Sequence, residues 1–291
     1  FPNWFTLSPV AGTLTEGAAG FETVAYARAV TDDIRRLARA SALRVDHLLH
    51  LRAELCSHTV LEELDSFGRE DEVRIVSVMD HTPGQRQFAD ESKYRQYYQG
   101  KHGLTDAEMD AFVARTKALS ADLGAAHEAG VIERARALGA ALASHDDTTA
   151  EHVAASVAAG IDFAEFPTTR AAAQACREAG VPVMMGAPNI LRGGSHSGNV
   201  AAAELAAEGL LDILSSDYAP SALLMGALRL AAAHGDLPGA VATVTARPAQ
   251  AVGLEDRGAL APGLRADLLL VRDVEDLPVI AGVWSAGRQV G

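Results

Sequence analysis

Residues 140–151 read A-A-L-A-S-H-D-D-T-T-A-E, and this stretch decides the fold class. A short run of small apolar residues ends in the ionisable side chains H-D-D at 145–147. The capping-box pattern T-T-A-E at 148–151 then predicts the start of a helix. The order strand, polar turn, helix is that of a βα unit, and it indicates a parallel sheet.

The same order recurs along most of the chain. Short apolar runs predict strands at 22–26, 47–51, 73–79, 140–143, 161–164, 181–185 and 211–214. Six strands end in polar or ionisable groups. Such endings spread along a line in an open doubly wound sheet, but they converge in a closed barrel. The sequence therefore predicts an α/β fold, a (β/α)8 TIM-like barrel.

The C-terminal part of the chain has a different pattern. Gly and Pro punctuate short apolar segments at 257–271 and 279–290, which predicts short strands joined by turns. We expect these strands to form a small β domain next to the barrel.

Composition limits the kind of protein and of partner. The chain has 291 residues, of which 48% are hydrophobic and 22% charged, enough to bury a full core. A net charge of −13 argues against a nucleic-acid partner and suits a site that collects divalent cations. No apolar run reaches the roughly 18 to 20 residues that span a bilayer, so no membrane partner is expected. The only cysteines, Cys56 and Cys176, fit a reducing compartment. We expect a soluble, cytoplasmic protein.

Five side chains at predicted strand ends are candidate metal ligands. His145 and Asp217 are the strongest, because imidazole and carboxylate are normal ligands of zinc, manganese and iron. Glu54 and His81 come next. For Glu165 the residues leave three roles open, namely binding a metal, orienting a ligand or pairing with an arginine.

Plainer structural roles compete with these assignments. His50, Arg52 and Glu54 share one face of a predicted strand by the period of two, and such a face belongs in a polar site. The alternative there is an ion pair between Arg52 and Glu54 that fills the barrel mouth. For His81 the alternative is an ordinary turn with Asp80.

The segment M-G-A-P-N-I-L-R-G-G-S-H-S-G-N at 185–199 predicts an anion-binding loop. Its glycines let backbone N–H groups approach an oxyanion, and its polar side chains add donors. The candidate substrate-binding residues here are Asn189, Arg192, Ser195, His196, Ser197 and Asn199. The alternative is a flexible Gly-Ser linker.

An insertion between the third and fourth predicted strands could form a lid. It contains an aromatic, basic loop at 88–102 and a helix that opens with the capping box T-D-A-E at 105–108. Arg52, Arg86 and Lys101 are further candidates for contact with a polyanion. A solvated basic face is the alternative for the loop.

Several long motifs together resemble one known family. They are S-H-D-D-T-T at 144–149, A-E-F-P-T-T at 164–169, the loop at 185–200, L-S-S-D-Y at 214–218, H-L-R-A-E-L at 50–55 and V-M-D-H-T-P-G-Q-R-Q-F at 78–88. These motifs resemble the PhnM type of phosphonate-metabolism hydrolases in the amidohydrolase superfamily. The resemblance runs from about residue 20 to the C-terminus.

The resemblance implies a domain organisation and an activity. Residues 1–17 and 251–291 would form a small β-sandwich domain, and residues 18–250 the barrel. The implied reaction is hydrolysis of α-D-ribose 1-methylphosphonate 5-triphosphate to the 5-phosphate and pyrophosphate. The implied cofactors are divalent metal ions, two of them, of zinc, manganese or iron. The implied partner is a polyanionic small molecule. A homo-oligomer is possible, and the sequence leaves the oligomeric state open.

Each candidate residue receives a role in this scheme. Asp217 would take the proton from the attacking water while also touching metal. Glu54 would bind or bridge metal, and His81 and His145 would complete the ligand set. Arg192 and its loop would hold the phosphonate or the phosphates.

One departure from the family leaves alternatives open. The family's first barrel strand carries a His-x-His or His-x-Asp motif, which has no counterpart here. We therefore expect a further segment between about Gly17 and Phe21 in the natural polypeptide. The alternatives are a non-catalytic barrel and an amidohydrolase or deaminase that cuts C–N bonds, since the same barrel supports that chemistry.

Overall fold

The computed structural model of the chain describes residues 3–7, 26–86, 90–195, 198–274 and 277–291. Its strands there are β1 (Asn3–Leu7), β2 (His47–Glu54), β3 (Val73–Met79), β4 (Ala141–His145), β5 (Phe163–Glu165), β6 (Val183–Gly186), β7 (Ile213–Ser215), β8 (Leu268–Val274), β9 (Leu277–Ser285) and β10 (Arg288–Gln289). Its helices there are α1 (Tyr26–Arg39), α2 (Val60–Asp65), α3 (Glu91–His102), α4 (Asp106–Leu138), α5 (Ala150–Ala159), α6 (Arg170–Glu178), α7 (Ala187–Arg192), α8 (Ala202–Ala207), α9 (Ala222–His234), α10 (Leu237–Ala242) and α11 (Ala246–Ala251).

The first seven strands form one parallel sheet in the order β1 to β7. Every strand thus lies beside the next one along the chain. A doubly wound sheet would reverse its order at a switch point, whereas a barrel keeps this sequential order. The architecture is therefore of the α/β barrel type, with β1 and β7 as the edges of the sheet over the described residues.

Six of the seven predicted barrel strands are confirmed as β2 to β7. β3 has the predicted bounds, and the other five overlap their predictions. The remaining prediction, at 22–26, falls mostly outside the described residues, and Tyr26 begins α1.

β1 lies in an unexpected place. It pairs in parallel with β2, from Asn3 opposite His47 to Leu7 opposite Leu51. The assignment of this strand to the small β domain is therefore corrected. The physical reason is that the pairing satisfies backbone groups along one edge of β2, a gain that five residues of sequence do not reveal. The boundaries at 17/18 and 250/251 stay predictions, and the proposed position of a further segment lies outside the described residues.

The two faces of the parallel sheet pack differently. One face is covered by helices, with Leu49 and Val76 against Ala27 of α1 and Val131 of α4. The other face carries an apolar layer drawn from consecutive strands. Its members are Leu48, Ile75, Ala143, Phe163, Met184 and Ile213. This second face corresponds to the inner face of a barrel, because the helices cover the opposite face.

The insertion is more helical than predicted. The stretch expected to be a basic loop contains α3, which begins after Asp90, whose side chain accepts from the Ser92 N–H. The predicted capping box is confirmed at the start of α4, where Thr105 and Glu108 bond to each other's backbone N–H.

The C-terminal strands form a separate antiparallel sheet in the order β10, β9, β8. The small β region predicted after residue 250 is confirmed to this extent. Among the residues that the structure describes, no helix combines the length and apolarity needed to cross a membrane.

Candidate active site

A layer of buried polar side chains lies directly above the apolar layer of the barrel face. Residues two further along a strand lie on the same face, so the strands that supply Leu48, Ile75, Ala143 and Phe163 also supply the next layer. We call this the polar layer, and its members are His50, Ser77, His145 and Glu165. Register contributes as well, because His145 lies opposite Glu165 in the β4–β5 pairing.

Hydrogen bonds join the members of the polar layer. Glu165 Oε2 accepts from Ser77 Oγ at 2.6 Å and from His145 Nδ1 at 3.0 Å. Ser77 Oγ also lies 2.5 Å from His50 Nε2. Burial opposes ionisation of Glu165, but His50 and His145 lower the pKa of this carboxyl to about 2. Glu165 is therefore a charged acceptor at neutral pH.

His81, His145 and Asp146 form a group that could hold a metal ion, with ligand atoms within 4.8 Å of one another. Asp146 Oδ2 lies 3.7 Å from His81 Nε2 and 3.5 Å from His145 Nε2. Burial opposes ionisation of Asp146, but the two histidines hold its pKa below the usual value.

A specific observation shows that these residues fit a cation. Asp146 Oδ2 is buried and has no hydrogen-bond partner among the described residues. A buried anionic oxygen without a hydrogen-bond partner is costly, and a divalent ion between it and two imidazole nitrogens would satisfy it. We conclude that His81, His145 and Asp146 are chemically suited to bind a divalent transition metal.

Glu54 supports His81 from the side away from Asp146. Its Oε2 lies 2.5 Å from His81 Nδ1, and its Oε1 accepts from the His81 N–H at 3.2 Å. Burial alone would lower the pKa of His81, but Glu54 and Asp146 raise it to about 10. Both oxygens of Glu54 are thus engaged in holding His81.

A second group with ligand atoms within 4.8 Å consists of Glu54, Cys56 and Asp80. Asp80 Oδ1 accepts from the Thr82 N–H at 3.0 Å and lies 3.3 Å from Cys56 Sγ. Burial raises the pKa of the Cys56 thiol above its ordinary range. The thiolate is the form that binds metal, so a protonated Cys56 does not serve as a ligand. The hydrogen bonds of this group instead support the end of β3.

The two predicted arginines contact different partners. Arg52 Nη2 lies 3.2 Å from His145 Nε2, and its Nε lies 3.1 Å from Met79 Sδ. Arg86 Nη1 donates to Asp147 Oδ1 at 2.5 Å and to the backbone oxygen of His145 at 3.0 Å. Arg86, predicted to bind substrate, therefore holds the end of β4 in this structure.

Asp217 follows β7, as predicted, but the two metal-capable groups of the described residues do not include it. Its side chain is exposed and lies over Gly186, where an added Cβ would be 3.1 Å from Asp217 Oδ2. Its role as base and metal ligand stays a prediction.

Three residues that directly follow or closely follow strands have left-handed backbone conformations. Asp146 has φ of 57°, Phe166 of 53° and Asp217 of 48°. Such conformations are unfavourable for residues other than glycine and cluster at functional sites. These three residues lie just after β4, β5 and β7, at the same edge of the sheet as the candidate site.

The predicted anion-binding loop is described in part. Asn189 Oδ1 accepts from the Ala202 N–H at 2.9 Å, and Arg192 Nη1 donates to the Tyr218 hydroxyl at 3.2 Å. Ser195 and Asn199 lie on either side of the gap in the described chain, and both are half-buried. His196, Ser197 and the side chain of Lys101 lie outside the described residues.

Three functional candidates were absent from the predicted set. Asp146 is the middle residue of H-D-D at 145–147, and its left-handed φ turns it toward two histidines. His50 was placed on the correct strand face but given no role. Ser77, a polar residue inside an apolar strand, was the signal that could have identified the polar layer.

A family model described as the amidohydrolase family matches residues 11–290. The chain belongs to the amidohydrolase family. A curated relative of this amidohydrolase, the alpha-D-ribose 1-methylphosphonate 5-triphosphate diphosphatase of Escherichia coli (strain K12), is 51% identical over 250 residues. The match covers 85% of this chain and 66% of the relative, so the chain spans just under two thirds of that protein.

Solved structures show weaker similarity to this amidohydrolase. An amidohydrolase from Thermotoga maritima MSB8 has a TM-score of 0.44 and 17% identity, with 70% of this chain and 54% of that chain covered. A D-hydantoinase has a TM-score of 0.42 and 16% identity, with 88% and 73% covered. Similarities of this size carry no functional information.

Proposed function

We propose that this amidohydrolase hydrolyses α-D-ribose 1-methylphosphonate 5-triphosphate to the 5-phosphate and pyrophosphate, in phosphonate metabolism. The observation that carries the proposal is the 51% identity over 250 residues with the diphosphatase of Escherichia coli. The buried group of His81, His145 and Asp146 at the strand ends supports it.

The ligand set of the proposed metal is His81, His145 and Asp146. A bound divalent ion supplies a coordinated water of lowered pKa and neutralises phosphate charge. The proposal extends to two ions of zinc, manganese or iron, since Glu54 at the end of β2 and Asp217 after β7 provide further carboxylates.

Proton transfer and substrate binding fall to residues at the barrel mouth. Asp217 is the proposed base, because its exposed carboxylate follows β7 and is open to water. Arg52 is the proposed inner phosphate contact, since a guanidinium has five N–H donors and the described contacts of Arg52 use two. Arg192, exposed beside Tyr218, is the proposed outer contact.

The finer architecture belongs to the same proposal. The parallel sheet closes as a (β/α)8 barrel, and the C-terminal strands β8 to β10 belong to a small β-sandwich domain. The protein acts in the cytoplasm on a polyanionic small molecule, without nucleic-acid or membrane partners.

The test is pyrophosphate release by the purified full-length protein. We expect release from the phosphonate sugar triphosphate, its loss on treatment with a chelator and its return on addition of zinc or manganese. A nucleoside triphosphate serves as a control for specificity, and a cyclic amide such as hydantoin tests C–N cleavage. Ring opening of hydantoin without pyrophosphate release from either triphosphate would contradict the proposal.

A further inference from the structure

We propose that Glu165 is a positioning residue for His145 and not a metal ligand, and that Ser77 and His50 hold Glu165 in this role. The inference rests on the proposed metal site, but not on the identity of the substrate. It assigns a function to three buried side chains that the proposed reaction does not otherwise use.

The two ring nitrogens of His145 contact groups of opposite hydrogen-bonding character. Nδ1 lies 3.0 Å from Glu165 Oε2, and a carboxylate at this distance accepts the Nδ1–H. Nε2 lies 3.2 Å from Arg52 Nη2, and a guanidinium can only donate. Both contacts require the same tautomer, with the proton on Nδ1 and the lone pair on Nε2. Nε2 also lies 3.5 Å from Asp146 Oδ2, so a metal held with Asp146 would take this lone pair in place of the Arg52 contact.

Ser77 and His50 hold the Glu165 carboxylate in place. Ser77 has one hydroxyl proton and gives it to Glu165 Oε2 at 2.6 Å. The Ser77 oxygen must therefore accept the hydrogen bond from His50, whose Nε2–H donates at 2.5 Å. The hydrogen bonds thus run in one direction, from His50 through Ser77 to Glu165.

The three side chains behind His145 are shielded from bulk solvent. Exposure is 7% for His50, 0% for Ser77 and 2% for Glu165. Glu165 Oε2 is shared by Ser77 and His145, and Oε1 lies 3.5 Å from His50 Nε2. Glu165 Oε2 is therefore committed to groups behind the His145 ring. A histidine that ligates metal commonly donates its other N–H to such a carboxylate, which fixes the ring and its tautomer.

The experiment compares Ser77→Ala with Ser144→Ala. Both serines are buried in neighbouring strands, but the Ser144 hydroxyl has no hydrogen-bond partner among the described residues. The measurement is the Kd for Zn²⁺ of the chelator-treated full-length protein, by competition with a chromophoric chelator. We expect Ser77→Ala to raise the Kd by about 10- to 100-fold. Ser144→Ala should change it by less than about threefold, because no hydrogen bond is lost.

Glu165→Gln gives a second readout that a purely structural role would not move. The 15N chemical shifts of His145 in the metal-free protein report its tautomer. We expect the Nδ1–H tautomer in the natural chain and a mixture in Glu165→Gln, whose amide can both donate and accept. Zn²⁺ should bind Glu165→Gln more weakly but with unchanged stoichiometry.

The outcomes are distinguishable. Glu165→Gln could bind fewer Zn²⁺ ions per chain than the natural protein, while Ser77→Ala keeps the natural Kd for Zn²⁺. That result would show that Glu165 is a ligand and would overturn the inference. An Nε2–H tautomer of His145 in the natural chain would overturn it as well, even if Ser77→Ala failed to fold. Since neither readout uses turnover, failure to release pyrophosphate would count against the proposed function alone.

Discussion

Replacement of Arg86 by Ala tests whether this residue binds substrate, as its sequence context predicts, or supports the end of β4, as the structure indicates. Its guanidinium pairs with Asp147, whose side chain is 0% exposed, and contacts the backbone oxygen of His145. Asp147 Oδ2 already has no hydrogen-bond partner among the described residues. Arg86→Ala would therefore leave a buried carboxylate without its counter-charge.

The magnitude follows from the burial of the pair. Breaking a buried ion pair by removing one partner costs about 3 to 5 kcal/mol. We expect the lower end, about 3 kcal/mol, because the Arg86 side chain is 17% exposed and Ser156 Oγ still donates to Asp147 at 3.2 Å. In a domain of this size that loss lowers Tm by roughly 6 to 12 °C.

The assay is urea unfolding of four proteins: the natural chain, Arg86→Ala, Asp147→Asn and the double variant. In the Asp147→Asn background Arg86→Ala should cost only about 1 kcal/mol, because no buried charge is left behind. The KM of Arg86→Ala should stay close to that of the natural chain. Its kcat should fall, because the loss of Arg86 leaves His145 less well held. Arg192→Ala is the matched control, with an exposed guanidinium and the opposite expected pattern. An unchanged free energy of unfolding with a KM at least about tenfold higher would refute this reasoning and return Arg86 to the substrate site.

Three further variants test residues elsewhere in the chain. Asp217→Asn should retain Zn²⁺, measured by elemental analysis, while the rate of pyrophosphate release falls by roughly two to four powers of ten. Near-natural turnover of this variant would exclude Asp217 as the base. Arg192→Ala should weaken substrate binding by about 10- to 100-fold without loss of folding stability, and Arg192→Lys should restore binding only in part. An equal loss of affinity for an uncharged ester would contradict a phosphate contact. Burial opposes ionisation of Asp71, but the hydrogen bonds from Arg28 hold its pKa below the usual value. Stability from this pair should be present above the unfolded pKa of about 3.9 and be lost as pH falls through the lower folded value. Thermal melts across acidic pH check this prediction, and Asp71→Asn should show a weaker pH dependence.

Much of the scaffold could be predicted from local sequence. The period of two and the apolar runs located β2 to β7, because both signals depend only on neighbouring residues and their burial. The capping box of α4 was likewise local, since Thr105 and Glu108 bond within one turn. The chemistry at the strand ends followed from the barrel itself, because parallel strands bring their carboxyl ends to one side.

The tertiary structure alone decided which of these groups meet. His145 faces Glu165 through the register of β4 and β5, and Asp146 reaches two histidines through a left-handed φ. Neither register nor a single strained dihedral leaves a signature in composition or spacing. The same holds for Arg86, whose charge suited a polyanion but whose position beside buried Asp147 makes it a structural partner. Contacts between residues distant in sequence depend on how strands are aligned and how helices pack. His81, His145 and Glu165 were therefore predictable as candidates, while their pairings and the parts played by Asp146 and Ser77 were not.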